Sequence, residues 1–289
     1  MELFVQQVLA GLAVGGIYAS LALALVMIYQ ATELVNFAQG EMAMFSTYIA
    51  WQLVQSGIPF WAAFFLTIII SFAGGILIER LIIRPARNAP VLAIVIIFIG
   101  LLVILNSLAG WIWTYTNQIF PSPFPDRPYL GVNIQELGAI GVTLVVLLLV
   151  FAFFRYTTLG LAMRAAAQNP TSSRLVGIRV GWMLALGWGL AAAIGAVAGI
   201  MVAPKLQLDP NIMGSVLLYA FAGALVGGIS SPGGAVLGGF AVGVIENLVG
   251  TYVPVVGSQL KLAVALVLII GVLTVRPAGI FGRSVVHRV

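Results

Sequence analysis

Long uninterrupted apolar runs decide what this chain can fold into. Leu3–Tyr29, Phe60–Ile78, Val91–Trp113, Leu137–Phe154 and Trp182–Val202 each have roughly the 20 residues that a helix needs to cross the hydrocarbon core of a bilayer. Gly40–Val54, Val216–Ile229, Ala235–Tyr252 and Lys261–Val275 are shorter runs of the same kind, which makes up to nine membrane segments. Only 7% of residues are charged and 62% are hydrophobic, whereas about a quarter of a soluble domain is charged; so few charges could not cover a water-exposed surface. In lipid the backbone must satisfy its own hydrogen bonds, and the alternating pattern of a membrane β-barrel is absent. The fold class is therefore all-α: a polytopic membrane bundle of about 8–9 segments, some short or broken, forming one domain over residues 1–289. Only Glu2 precedes the first long run, with no basic stretch, so that run reads as a retained helix and not a signal peptide.

The sequence pI of about 9.8 does not point to nucleic acid, because the basic residues sit in a few short loops. Arg80, Arg84 and Arg87 form one cluster. Arg155, Arg164, Arg174 and Arg179 form a second, and Arg276, Arg283 and Arg288 a third. Together they hold ten of the 13 Lys and Arg residues, which places these loops on the cytoplasmic side. Two segments separate the first cluster from the second and four separate the second from the third, so the parity agrees. The loop from Thr114 to Glu136, with Trp111 and Trp113 at its edge and the proline-rich PSPFPDRP at 121–128, then lies outside. The N-terminus is outside if Gly40–Val54 spans and inside if that segment is re-entrant.

Several chemistries are excluded or unsupported. Without cysteine there is no disulfide and no thiolate-bound metal. The single histidine, His287, reads as a solvated tail residue. No P-loop, G-x-S-x-G or H-E-x-x-H motif is present. The acids Glu2, Glu33, Glu41, Glu79, Asp126, Glu136, Asp209 and Glu246 make no spaced catalytic pair. The expectation is a chain that is not an enzyme and holds no metal or cofactor.

Polar residues at membrane depth are the candidates for function, because an intramembrane acid is costly. Glu246 and Asn247 lie inside Ala235–Tyr252. Asn36, Gln39 and Glu41 flank the start of the short segment at 40–54. If that segment is a half-helix, its N-terminus presents free N–H groups to a carboxylate, whereas ordinary capping by Asn36 is the bland alternative. Tyr18 and Tyr219 could line a route or simply pack. Glycines four apart, at 195/199, 223/227, 234/238 and 239/243, let helices approach closely. Two polar stretches, ELVNFAQGEM at 33–42 and GGISSPGGAV at 227–236, each introduce a short helix and suggest an internal repeat around a transport site.

The segment TTLGLAMRAAAQNPTSSRLVGIRV, residues 157–180, carries three arginines and no acid. Leu161–Gln168 favours helix. Asn169 and Pro170 end that helix and start another as N-cap and first-turn residue. Thr171–Val176 makes a short helix, and Gly177 suits its C-terminal cap. A connection of two to eight residues would be enough to join two spans, so a basic, bent knob suits docking onto a partner better than mere linkage.

GLAMRAAAQNPTSSRLVGI (160–178) resembles the cytoplasmic coupling segment of permeases of high-affinity branched-chain amino-acid ABC transporters. GGIYASLALALVMIYQATELVNFAQGEMAMFSTY (15–48), with its N-F-A-x-G-E core, is similar to the family's N-terminal signature. GGISSPGGAVLGG (227–239) and VRPAGIFG (275–282) agree, and the likeness covers essentially the whole chain and is closer to the first of the two paired permease subunits. The resemblance implies an importer of branched-chain, hydrophobic neutral amino acids in a bacterial inner membrane. It implies a homologous second permease chain, two cytoplasmic ATP-binding subunits that hold ATP and Mg, and a periplasmic substrate-binding protein. Relatives also handle other amino acids, urea or short amides. Leu161, Arg164, Gln168, Asn169, Pro170, Arg174 and Gly177 would then couple to an ATPase. Tyr18, Asn36, Gln39, Glu41, Tyr219, Glu246 and Asn247 would face the route in an alternating-access cycle. Many relatives carry an acid after the N-P, where this chain has Thr171-Ser172-Ser173. The rival readings are a stand-alone ion-coupled transporter with Glu246 as proton carrier, and a non-transporting membrane scaffold.

Overall fold

The computed structural model describes residues 2–125, 127–129, 132–254, 256–257 and 260–282; Asp126, Arg283, His287 and Arg288 lie outside the described residues. The chain is all-α. Its helices are α1 (Glu2–Thr32), α2 (Gln39–Gln55), α3 (Phe60–Ile78), α4 (Val91–Trp113), α5 (Ile134–Tyr156), α6 (Thr158–Gln168), α7 (Pro170–Leu175), α8 (Val180–Leu206), α9 (Met213–Gly227), α10 (Pro232–Tyr252) and α11 (Lys261–Val275). A π-helical turn, Glu79–Ile83, extends α3. A two-residue antiparallel ladder, Pro128–Tyr129 with Val132–Asn133, lies in the loop before α5. Among the described residues, six helices are long and apolar enough to cross a membrane, and α9 and α11 are shorter apolar helices of 15 residues. With the 17-residue α2, the nine expected segments are all helices, and the chain is a multi-pass membrane protein.

The first two basic clusters meet at one end. Arg84 Nη2 donates to the Gly181 carbonyl at 2.6 Å, and the Arg80 guanidinium lies 3.6 Å over the Trp182 ring. The first cluster therefore sits beside the start of α8, just after the second. After α11 and Arg276, the amides of Ile280 and Phe281 donate to the carbonyls of Val226 and Gly227 at the end of α9. Gln30, near the end of α1, donates to Ser230 O at 3.0 Å. Thus α1 ends at the arginine-rich end and begins at the opposite one.

That direction decides the course of α2. Gln39 Nε2 donates to Ala191 O at 3.0 Å, well inside the 27-residue α8 and about 16 Å from its start at 1.5 Å rise per residue. At its other end α2 meets the opposite face: Trp113 Nε1 donates to Gln52 Oε1, and Trp51 Nε1 to Ile119 O. So α2 starts at mid-depth and runs outward, and the non-helical residues 33–38 lead the chain from the end of α1 back to it. It continues the crossing and is not a hairpin that returns to its own side.

α1 and α8 form the centre of the bundle, with 89% and 83% of their apolar windows buried, whereas α4 and α5 bury only 11%. Exposed apolar faces such as Leu92, Trp111, Leu148 and Leu149 cost nothing against lipid. Small residues let the central helices touch. Gly234 and Gly238 of α10 meet Gly227 and Gly223 of α9, while Gly239 and Gly243 of the same helix meet Ala19 and Gly15 of α1. Gly195 and Gly199 of α8 receive Gln39, Ala43 and Thr47 of α2.

Two expectations need correction. The helix after GGISSPGGAV is not short: Ser231 Oγ accepts from Gly234 N, Pro232 opens the first turn, and α10 runs for 21 residues, starting ahead of the expected Ala235. The short helices of the second half are α9, introduced by residues 207–212, and α11, so the pairing of 33–42 with 227–236 fails. Asn36 also does not cap α2. It accepts from Ala38 N at 3.0 Å and closes the turn before the helix, whose N-cap is Ala38 with no side-chain cap.

Candidate functional site

The punctuation read from 157–180 is present in the fold. Thr157 ends α5 and caps α6: its hydroxyl accepts from Gly160 N at 3.0 Å and donates to Phe153 O at 2.6 Å. A β-carbon at Gly160 would strike the backbone of Phe153 and Phe154, so only glycine allows α6 to fold sharply against the end of α5. The helix thus starts three residues before Leu161. Gly160, Met163 and Ala166 make its buried face, set against Val180 and Leu184 of α8. Leu161, Arg164 and Gln168 fall on the opposite, exposed face. Asn169 Oδ1 accepts from Ser172 N at 2.9 Å, and Pro170 occupies the first turn of α7. Gly177, at φ +84°, ends that short helix. Ser173 is buried, and Ile178 N donates to Ser173 O at 3.0 Å, which anchors the knob. Its tip, Leu175 and Val176, is 85% and 76% exposed. Arg174 and Arg179 flank these two apolar side chains.

The knob is tied to the bundle by a charge network that spacing did not reveal. Glu79, fully buried in the π-helical turn, accepts from Arg84 at 2.9 Å and from Arg87 at 3.4 Å. Arg84 in turn grips Gly181, and Arg80 stacks on Trp182. A displacement of the residues just after α7 is thereby passed to α3. Arg84→Ala leaves Glu79 with its longer contact alone. We expect that to cost about 3 kcal/mol, the lower end for a broken buried pair because Arg84 is itself part-hydrated. Glu79→Gln should cost only about 1 kcal/mol, since both arginines can turn to water. Equilibrium unfolding of the purified variants checks the order, and a larger loss for Glu79→Gln would contradict it.

The polar candidates at membrane depth divide into two groups. Tyr18 and Tyr219 stack at 4.9 Å between ring centroids. Tyr18 donates to Glu246 Oε2 at 2.9 Å, and Lys261 Nζ lies 3.9 Å from Glu246 Oε1. This group joins α1, α9, α10 and α11. Asn247 is separate from it and donates twice to Gln7 of α1 at 2.7 Å. The second group lies on α2. Gln39 is committed to Ala191 O, and Asn36 closes its turn and reaches Gln39 Oε1 at 3.5 Å. Glu41 faces α4, where Asn106 Nδ2 lies 3.5 Å from its Oε2. The same nitrogen donates to Pro210 O at 2.8 Å and to Asn211 Oδ1 at 3.3 Å.

Sequence reasoning missed Asn106 and Asn211. Asn106 could have been found, because Asn106-Ser107 is a polar interruption in an otherwise apolar 23-residue helix. Next to this contact in the chain, Ser107, Asn211, Gly214 and Ser215 are exposed. A polar, small-residue strip at membrane depth is a poor lipid-facing surface. It suits a wetted route or a second protein chain.

Among the described residues, no group of three or more His, Cys, Asp or Glu is placed to hold a metal ion. Residues 7–273 match the profile of the family described as branched-chain amino acid transport system / permease component. The high-affinity branched-chain amino acid transport system permease protein LivH of Salmonella typhimurium is 33% identical, over 99% of this chain and 98% of that protein. BraD of Pseudomonas aeruginosa, a permease protein of the same description, is 32% identical with the same coverage. Among solved structures, PsaBC from Streptococcus pneumoniae in complex with Fab resembles the fold at a TM-score of 0.50 and 15% identity, covering 92% of this chain and 90% of that one.

Proposed function

Because the chain belongs to the permease family of branched-chain amino acid transport systems, we propose that it is one membrane half of an ATP-driven importer of branched-chain, hydrophobic neutral amino acids. A homologous permease chain completes the conduit, two cytoplasmic subunits bind ATP and Mg, and a periplasmic binding protein delivers substrate across a bacterial inner membrane. This chain itself carries out no chemical step and holds no cofactor.

The α6–α7 knob is the observation that carries this reading. Its exposed Leu175 and Val176 are apolar side chains beyond the membrane-crossing helices, flanked by arginines, and they suit an apolar pocket with acidic edges on a partner. Closure of the ATP subunits moves the knob. The shift passes through Gly181 and Trp182 to Arg84 and Arg80, and so to α3 and α8, which tilt together. The strip at Asn106, Asn211 and Ser215 is then exposed alternately to either side. Substrate is held weakly there, since tight binding would slow release.

The test is the assembled transporter in liposomes, with ATP inside and labelled leucine with its binding protein outside. ATP-dependent accumulation is the expected result. Uptake that proceeds equally without ATP would overturn the reading.

A further inference from the structure

The oxygens around Asn106 outnumber the protons offered to them. The Asn106 amide nitrogen has two protons, yet Pro210 O, Asn211 Oδ1 and Glu41 Oε2 all lie within 3.5 Å of it. The acid makes the longest of these contacts, although it is largely buried. The three acceptors come from α2 and from the segment before α9 and converge on one point. That point is about 22 Å from the start of α4 at 1.5 Å per residue, beside the exposed strip.

We propose that this is the subsite for the primary ammonium group of the cargo, with Glu41 as its charged acceptor and Pro210 O and Asn211 Oδ1 as neutral ones. An ammonium has three N–H donors, one for each oxygen, and a positive charge to match Glu41. Asn106 fills the position when the conduit is empty and swings aside when cargo arrives. A carboxylate is wrongly charged for the site. Urea and short amides lack the charge that would repay desolvation of Glu41, so the site selects amino acids over such amides. The proposal rests on the importer reading above.

In the liposome assay, Glu41→Gln is expected to lower leucine uptake per ATP hydrolysed about tenfold, as loss of a charge-assisted hydrogen bond implies. ATP hydrolysis stimulated by the binding protein should stay within about twofold of wild type, because the knob and its ties are untouched. Glu41→Asp should restore at least about a third of uptake, since it keeps the charge. Uptake unchanged in Glu41→Gln would overturn the proposal. So would uptake and stimulated hydrolysis falling together, which marks a coupling defect. Should the Glu41 variants not assemble, Asn211→Ala removes one acceptor at an exposed position and should lower uptake about threefold; no change there would equally overturn it. A wild-type transporter that shows no ATP-dependent leucine uptake would instead refute the importer reading.

Discussion

Leu175→Asp is expected to reduce ATP-driven leucine uptake by a factor of roughly 30, while the permease still inserts and folds. Leu175 is 85% exposed in the isolated chain, so the substitution removes no internal packing. What it removes is an apolar anchor at the tip of a knob held by Asn169, Pro170 and the buried Ser173. Anchors of this kind commonly contribute about 2 kcal/mol or more to an interface, and 1.4 kcal/mol is tenfold in affinity. An aspartate also adds charge repulsion if the partner pocket has acidic edges. Gly177→Pro should do comparable damage by another route, because proline cannot adopt φ +84° and the end of α7 would be re-aimed. Co-purification of the ATP subunits, their hydrolysis rate and leucine uptake should fall together. Wild-type uptake in both variants would remove the knob from the coupling path.

How much of this was legible in the sequence depended on whether the signal was local. The knob was readable because its punctuation is local: Asn169 and Pro170 act on the turn they sit in, and Gly177 on the helix it ends. Membrane segments were readable for the same reason, since apolar length alone sets them. The direction of α2 was not readable. It follows from Gln39 meeting Ala191 and Gln52 meeting Trp113, contacts between segments far apart in the chain. The repeat drawn from 227–236 failed because a glycine-rich polar stretch marks a helix start without stating how long the helix will be. At the candidate substrate site, Glu41 was visible as a polar residue at the start of the short segment at 40–54. Its partners were not, because Asn106 and Asn211 acquire meaning only when α4 and the segment before α9 are brought against α2. The Glu79 network was hidden similarly: the arginines looked topogenic, and one of them also grips α8.

Gly239→Val should lower the stability of the fold by at least about 3 kcal/mol, the upper range for overpacking. A β-carbon at Gly239 would press on the backbone of Ala19 in α1. Backbone has no rotamer to escape into, so α1 and α10 must separate along their length. Separation would also strain Tyr18–Glu246 and Gln7–Asn247, which tie the same two helices. The control is Gly233→Val, in the first turn of the same helix, where a β-carbon has no neighbour within 4 Å and a surface substitution costs about 0.5 kcal/mol or less. Unfolding of the two purified variants in detergent compares identical chemical changes that differ in what lies behind the glycine. A deep loss at Gly239 alone would assign the glycine stripe of α10 to helix contact. Equal losses would mean that valine harms this helix through its backbone preference, and the close approach of α1 would then need another source of stability.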